Sequence, residues 1–202
     1  MKAFLFPGQA SQDMGMGQDL YERFAEARAL FDEADAILGF ALTEVCFFGP
    51  MEKLSQTSVT QPAVYVHSVV VARLLAARGL TPDVVAGHSL GEYSALTAAG
   101  ALGFADGLAM VRERGRLMQE AGRERSGAMT AVLGLDDDVV VRLCDEAGPG
   151  VVPANFNSPG QVVISGEVDA VNSAAEAATA AGASKVVPLP VSGAFHSPLM
   201  EP

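Results

Sequence analysis

The spacing of apolar residues changes several times along the chain and predicts strands that alternate with helices. Apolar runs at 2–6 and 84–86 are short, and a Pro-Gly pair or a glycine follows each of them, so we predict two buried strands. The glycine-rich stretch 7–17 is predicted to be a loop. Apolar residues spaced three and four apart predict helices over 18–37, 62–79, 89–100 and 104–122. This alternation is typical of an α/β fold with a parallel sheet.

From Gly127 onward the elements follow a different order. The pattern predicts a β-α-β-β-α-β arrangement, with strands at 128–134, 151–156, 161–165 and 185–189 and helices at 136–147 and 167–181. This order is the split βαβ, or ferredoxin-like, pattern. We therefore expect a ferredoxin-like subdomain over 126–190, inserted into a larger α/β subdomain made of 1–125 and 191–202.

Composition and charge exclude several classes of function. Apolar residues make up 50% of the 202 residues, which is enough for a packed core, and the net charge of −11 excludes a global basic footprint for nucleic acid. The longest apolar stretch, from Pro62, contains His67 and Arg73 and is expected to fall short of the ~20 residues of a membrane span. Cys46 and Cys144 lie outside any CxxC motif, so we expect buried free thiols and no metal site. We predict a cytoplasmic protein without a membrane partner.

One serine lies in a motif that is typical of a nucleophile. Residues 87–91, Gly-His-Ser-Leu-Gly, match G-x-S-x-G and lie between a predicted strand and a predicted helix. The motif alone is a weak signal, and the strand–turn–helix context strengthens it. In that context the Ser89 hydroxyl lies at a helix N-terminus, where backbone N–H groups favour developing negative charge. The alternative is a serine that caps an ordinary turn.

A serine nucleophile requires a base, and the chain has three histidines. His67 lies in the apolar run VYVHSVVVA, which favours a core position, and His88 is a poor candidate because neighbouring side chains diverge at such a turn. His196 remains, and serine before histidine is the chain order of the α/β hydrolases. The alternative is an exposed loop histidine. Whether an Asp, a Glu or a backbone carbonyl orients the ring stays open.

Arg114 is the only charged residue on the apolar face of its predicted helix. At 100° per residue, the apolar residues of 104–122 cover an arc of about 180°, and Arg114 lies inside that arc. A buried guanidinium without an anion is costly. Either an internal Asp or Glu or the carboxylate of a ligand is therefore expected to pair with it, and a guanidinium binds a carboxylate through two parallel hydrogen bonds.

Six groups of residues occur along the chain in a recognisable order. They are Phe6-Pro7-Gly8-Gln9, Thr60-Gln61-Pro62, Gly87 to Leu96, Arg112-Glu113-Arg114-Gly115, Asn155 to Gly166, and Ala194-Phe195-His196. Together they strongly resemble the malonyl-CoA:acyl carrier protein transacylases and the acyltransferase domains of polyketide synthases. The resemblance implies an α/β-hydrolase-like large subdomain with a parallel sheet and an inserted ferredoxin-like βαββαβ subdomain.

The resemblance also implies roles for the catalytic groups. Ser89 would take the malonyl group from malonyl-CoA as an ester, and His196 would act first as base and then as acid. The backbone N–H groups of Gln9 and Leu90 would form the oxyanion hole, and Arg114 would hold the malonyl carboxylate.

Three further residues would line or support the site. The resemblance places Gln61 and Asn157 there, and Phe195 before the histidine goes with malonyl rather than methylmalonyl. The implied partner is acyl carrier protein, the implied substrate is malonyl-CoA, and no permanently bound cofactor is expected. The pathway would be fatty-acid synthesis. The alternatives are a trans-acting malonyl acyltransferase of a polyketide synthase, an acyl-thioester hydrolase, or an inactive fragment that needs a C-terminal partner.

Two features depart from the family pattern. Ala10 stands where the family usually has glycine after Pro-Gly-Gln, a small change if its φ is negative. The chain ends at Pro202, six residues after His196, whereas the family continues much further. We therefore expect the C-terminal part of the large subdomain to be absent, which would leave a sheet edge open.

Overall fold

The computed structural model describes residues 1–191 and 193–201. The elements follow one another in the order β1 (Ala3–Phe6), α1 (Gln18–Arg23), α2 (Ala25–Leu38), α3 (Leu42–Phe48), α4 (Met51–Leu54), α5 (Thr57–Ala76), β2 (Val84–Gly87), α6 (Gly91–Ala98), α7 (Phe104–Glu124), β3 (Ala128–Leu133), α8 (Asp137–Ala147), β4 (Val151–Ser158), β5 (Gln161–Gly166), α9 (Val168–Ala180) and β6 (Lys185–Pro188), with a 3₁₀ turn at Pro198–Met200. The predicted α/β class is confirmed.

Two predicted helices differ most from the structure in their bounds. The predicted helix 18–37 is divided into α1 and α2 because Phe24 is extended, with φ −123° and ψ 119°. The helix predicted from residue 62 begins five residues earlier, at Thr57, and contains Pro62 in its second turn. A proline is common in the first turn of a helix, whereas here it lies in the second. The extended Gln56 starts the helix instead, since its carbonyl accepts from the N–H groups of Val59 and Thr60.

The chain divides into two compact units, Met1–Leu117 and Met118–Pro202, with the boundary inside α7. This differs from the predicted boundary after residue 125, and 193–201 groups with the second unit instead of the first. The reason is an apolar cluster in which Met118, Val191, Phe195 and Met200 pack with Met129 and Val163. Ser192 and Pro202, both within the predicted range 191–202, lie outside the described residues.

The first unit contains a parallel two-stranded sheet. β1 pairs with β2 in a register that runs from Ala3 opposite Val84 to Phe6 opposite Gly87. One face packs on helices α5 and α6 through Phe4, Phe6, Val85, Ala72, Ala95 and Ala98. The other face is apolar and exposed, with Leu5 at 77% and Val84 at 47% exposure beside Ala3 and Ala86. Parallel sheets are normally covered on both faces, so this outer face is unusual.

Helix α5 forms the centre of the first unit's core. It is the one helix in the described part of the chain that is long and apolar enough to cross a membrane. The predicted apolar stretch from Pro62 is part of this longer helix, which has 20 residues because it begins at Thr57. However, 72% of the most apolar 18-residue stretch of this helix is buried inside the protein. Fully buried residues such as Tyr65 and Val66 pack against α2, α3 and α7. This burial is typical of a core helix.

The second unit has the ferredoxin-like arrangement that the pattern predicts. Its antiparallel sheet has the order β4-β5-β3-β6. Helices α8 and α9 cover one face, where Val132, Val162 and Ile164 pack against Val140 and Val171. The apolar cluster around Phe195 lies with Met129 and Val163, whose side chains alternate with those on the helix-covered face.

Both cysteines are buried free thiols, as predicted. Burial raises the pKa of Cys46 to about 12 and that of Cys144 to about 11, so neither is a reactive thiolate near neutral pH. Among the described residues, no group of three or more His, Cys, Asp or Glu side chains could hold a metal ion.

We expect the half-buried position of His67 to make the protein less stable in acid. Burial lowers the pKa of His67, and the carboxylate of Asp19 only partly opposes this. As the pH falls below about 6.5, the unfolded chain binds a proton at this imidazole before the folded protein does, so the free energy of unfolding decreases. Urea unfolding between pH 5 and pH 8 measures this slope, which His67→Gln should reduce. If the free energy of unfolding depends on pH in the same way in the variant, other groups cause the effect.

Candidate active site

Ser89 occupies a strained turn between β2 and α6. Its φ is 52°, in the left-handed region that residues other than glycine rarely adopt. The flanking glycines make this turn sterically possible. A Cβ at Gly91 would collide with the Phe6 carbonyl oxygen, and one at Gly87 would collide with the backbone of Gly91. The G-x-S-x-G spacing therefore provides the close backbone packing of a nucleophile elbow.

The Ser89 hydroxyl belongs to a network centred on Arg114. One terminal nitrogen of the guanidinium, Nη2, donates a hydrogen bond to Ser89 Oγ at 3.0 Å. The other, Nη1, donates to Gln61 Oε1 at 2.9 Å, and Gln61 is fully buried. The guanidinium carbon also lies 5.9 Å from the centre of the Tyr93 ring. Helices α5, α6 and α7 and the turn before α6 each contribute one member of the network.

The surroundings of Arg114 show whether an internal Asp or Glu pairs with its guanidinium or whether an anionic ligand is needed. No Asp or Glu in the described part of the chain lies within 4.0 Å of its guanidinium nitrogens. Burial lowers the pKa of Arg114, while Tyr93 and Glu92 act in the opposite direction more weakly. A half-buried cation that is hydrogen-bonded to a neutral amide and a hydroxyl still lacks an anion. The site is thus suited to an anionic ligand beside Ser89.

The loop after β1 is held against the same turn. A Cβ at Gly8 would lie 2.7 Å from the His88 carbonyl oxygen, so only glycine allows this approach. The Ser11 hydroxyl donates to the Gly8 carbonyl oxygen at 2.7 Å, and the His88 N–H donates to the Phe6 carbonyl oxygen at 3.0 Å. The Gln9 side-chain amide donates to Thr57 Oγ1 at 3.3 Å. The structure thereby brings the Gln9 loop next to the turn that contains Ser89 and Leu90.

The remaining predicted site residues lie in the second unit. Phe195 is buried in the apolar cluster with Met129 and Val163, whereas His196 is exposed and has a φ of 60°. The Ser197 hydroxyl donates to the Ala194 carbonyl oxygen at 2.7 Å and stabilises the segment around the histidine. Asn157 is exposed near the end of β4. Ser89 and His196 belong to different compact units, so their pairing stays a prediction.

Two contributors to the site were not predicted from sequence. Tyr93 lies beside the Arg114 guanidinium, and its position four residues after Ser89, one helical turn along, could have indicated this. Thr57 is fully buried and accepts from the Gln9 amide, and no local signal identifies it because the two residues are 48 positions apart.

Ala10 has a positive φ of 76°. The replacement of glycine by alanine at this position would be a small change only at a negative φ, so this condition is not met. Among the described residues, the other non-glycine positions with positive φ are Ser89 and His196. All three belong to segments that carry predicted site residues. Strained backbone is often found at functional sites, where the surrounding structure holds it in place.

We expect Ala10→Gly to stabilise the protein by up to about 1.5 kcal/mol. Alanine in the left-handed region costs about 1–2 kcal/mol, and the greater freedom of glycine in the unfolded chain offsets about 0.4–1 kcal/mol of this. Chemical denaturation measures the difference. The control is Ala36→Gly on the exposed face of α2, which should lose about 1 kcal/mol. Equal losses in both variants would show that Ala10 is not strained.

Comparison with known proteins shows which family this chain is similar to. The sequence profile of the acyl transferase domain family matches residues 3–202. The malonyl CoA-acyl carrier protein transacylase of Bacillus subtilis (strain 168) is 50% identical over 99% of this chain. That of Escherichia coli (strain K12) is 48% identical over 99%. The chain spans 64% of the length of the first relative and 66% of the second.

Solved structures show the same similarity. A malonyl-transacylase in complex with the acyl-carrier protein of a type II polyketide synthase superposes with a TM-score of 0.94 at 47% identity, over 98% of this chain and 65% of that one. An acyl carrier protein S-malonyltransferase from Vibrio cholerae has a TM-score of 0.93 at 47% identity, over 98% of this chain and 66% of that one. Because the family profile covers nearly every residue and the fold agrees, the chain belongs to the acyl transferase domain family.

Proposed function

We propose that this chain transfers a malonyl group from malonyl-CoA to the phosphopantetheine thiol of an acyl carrier protein, in fatty-acid synthesis. The observation that carries the proposal is the Arg114 guanidinium, which is half-buried and lies 3.0 Å from Ser89 Oγ. A single CH₂ group separates the carboxylate of a malonyl group from its thioester carbonyl. A carboxylate bound by Arg114 would therefore hold that carbonyl close to the serine.

In the first half of the proposed reaction, Ser89 Oγ attacks the thioester carbonyl carbon. His196 accepts the hydroxyl proton, the C–O bond forms, and the C–S bond then breaks as His196 returns the proton to the departing CoA sulfur. The backbone N–H groups of Gln9 and Leu90 stabilise the oxyanion. In the second half, the carrier thiol gives its proton to His196 and attacks the malonyl ester, and Ser89 recovers the proton.

Selectivity in this proposal comes from the charge of Arg114 and the volume near Phe195. An acetyl group would leave the guanidinium without an anion, so a diacid is preferred. Gln61 fixes the guanidinium, Asn157 lines or supports the site, and Phe195 before the histidine favours malonyl over methylmalonyl. The similar proteins are malonyl transacylases that act on acyl carrier protein, which supports the choice of malonyl and of this carrier. No permanently bound cofactor takes part, and we propose that the protein acts in the cytoplasm.

The test is to mix the protein with malonyl-CoA, record its intact mass, and then add acyl carrier protein bearing phosphopantetheine. We expect one malonyl group on the enzyme and its transfer to the carrier. Release of free malonate at the same rate without carrier would identify a thioester hydrolase. A folded protein that binds malonyl-CoA and stays unlabelled would overturn the proposal.

A second candidate is an acyltransferase part that acts only together with a further segment, supplied by the same or another chain. The observation that favours it is the exposed apolar face of the β1–β2 sheet, with Leu5 at 77% exposure. Two-stranded sheets are weak on their own, and parallel ones are normally covered. Malonyl labelling that appears only after the C-terminal third of a relative is added in trans would favour this candidate.

A further inference from the structure

We propose that Gly115 is a positioning residue that sets the selectivity for malonyl by fixing the place of the Arg114 guanidinium. The inference rests on the proposed function and extends it to a residue that does not touch the substrate. Gly115 follows Arg114 on α7 and is buried. Its importance comes from how closely α7 approaches the first turn of α5 at this point.

The two helices are in backbone contact at Gly115. A Cβ added there would lie 2.9 Å from the Thr57 carbonyl oxygen, 3.1 Å from the Cα of Ser58 and 3.5 Å from the Cβ of Gln61. The first two are main-chain atoms, so no side-chain rotation could relieve the contact. Even the methyl group of alanine would therefore push the helices apart.

The same turn of α5 holds two other parts of the site. Thr57 accepts the hydrogen bond from the Gln9 amide, and Gln61 accepts the one from Arg114 Nη1. A shift of α7 away from this turn would carry the guanidinium away from Gln61, which stays on α5. It would also lengthen the 3.0 Å hydrogen bond from Arg114 Nη2 to Ser89 Oγ.

Helix propensity does not explain a glycine at this position. Glycine in the interior of a helix is less stable than alanine, so an interior glycine usually has a packing or functional reason. Close approach of α5 explains Gly107 as well, since a Cβ there would collide with the Tyr65 hydroxyl. Gly107 is two helical turns before Gly115, and the atoms nearest to a Cβ there belong to Tyr65 and Leu102, neither of which holds Arg114. It therefore provides a matched control on the same pair of helices.

The experiment compares Gly115→Ala with Gly107→Ala, using malonyl-CoA and acetyl-CoA as donors. In Gly115→Ala we expect the malonyl-to-acetyl ratio of kcat/KM to fall about tenfold, through a higher KM for malonyl-CoA. In Gly107→Ala the ratio should change less than about twofold, whatever the loss of thermal stability. A similar loss of selectivity in both variants would overturn the inference, as would an unfolded Gly115→Ala beside a folded Gly107→Ala.

A crystal structure of Gly115→Ala gives a readout that does not depend on activity. We expect both hydrogen bonds of Arg114, to Gln61 and to Ser89, to be broken, while Gly107→Ala keeps them. Unchanged bonds in Gly115→Ala would contradict the inference even if the wild-type protein transfers malonyl. Conversely, a wild-type protein that takes no malonyl group from malonyl-CoA would refute the proposed function, whereas broken bonds would still support the positioning role.

Discussion

Ser89→Ala is expected to abolish the malonyl-enzyme while leaving the fold intact. The variant lacks the only oxygen that could form the proposed ester, so the rate of malonyl transfer should fall about 10³-fold or more. The fold should persist because alanine meets nearly the same left-handed strain as serine at a φ of 52°. Intact mass after incubation with malonyl-CoA measures the acylation, and thermal unfolding measures the fold.

The control for Ser89→Ala is Ser94→Ala, on the helix that follows. Ser94 is fully buried, and its hydroxyl has no hydrogen-bond partner among the described residues, so its loss should be tolerated. The Ser94 variant should become acylated like the wild type. A Ser89→Ala protein that still gains a malonyl group would place the nucleophile elsewhere.

Arg114→Ala is expected to lose malonyl transfer about 10²-fold or more while changing acetyl transfer much less. The half-buried guanidinium donates to Ser89 Oγ at 3.0 Å, and a charge-assisted pair with a carboxylate is stronger than a neutral hydrogen bond. An acetyl group has no carboxylate and cannot use this interaction. Steady-state kcat/KM for the two donors measures the difference, and Arg114→Lys should restore only part of it because an ammonium cannot reproduce the two-pronged geometry.

Arg116→Ala is the matched control for Arg114→Ala. Arg116 lies two residues further along α7, is exposed, and forms a salt bridge with Glu113 at 2.6 Å. Exposed pairs of this kind contribute little, so the choice between malonyl and acetyl should stay the same. Equal losses of malonyl and acetyl transfer in Arg114→Ala would make the arginine structural and refute its role in selectivity.

The parts of the fold that depend on local pattern could be predicted from the sequence. The ferredoxin-like unit is a clear case, because its strands are short apolar runs and turn residues such as Pro159 and Gly160 separate two of them. The turn at Ser89 is another, since its glycines are adjacent in sequence. Prediction was weaker where a single residue leaves the helical conformation within a stretch of helical spacing. The extended Phe24 interrupts a stretch whose spacing predicts one continuous helix.

The boundary between the compact units shows the same limit. The order of the predicted elements changes from Gly127 onward, directly before β3, and this suggested a boundary close to that residue. In the structure, Met118 of α7 packs with residues that come after β6, so the end of the helix belongs to the second unit. Burial of a shared apolar cluster determines this grouping, and the cluster joins residues that are far apart along the chain.

The sequence by itself determined that Arg114 lies on the apolar face of its helix, because helical periodicity depends only on neighbouring residues. It left open what the guanidinium meets there. Only the tertiary structure decided that Gln61 and Ser89 accept its hydrogen bonds, since these residues are 53 and 25 positions away and are brought together by the packing of three helices. Likewise, the positive φ of Ala10 is seen only in the folded loop, because no local propensity of alanine encodes it.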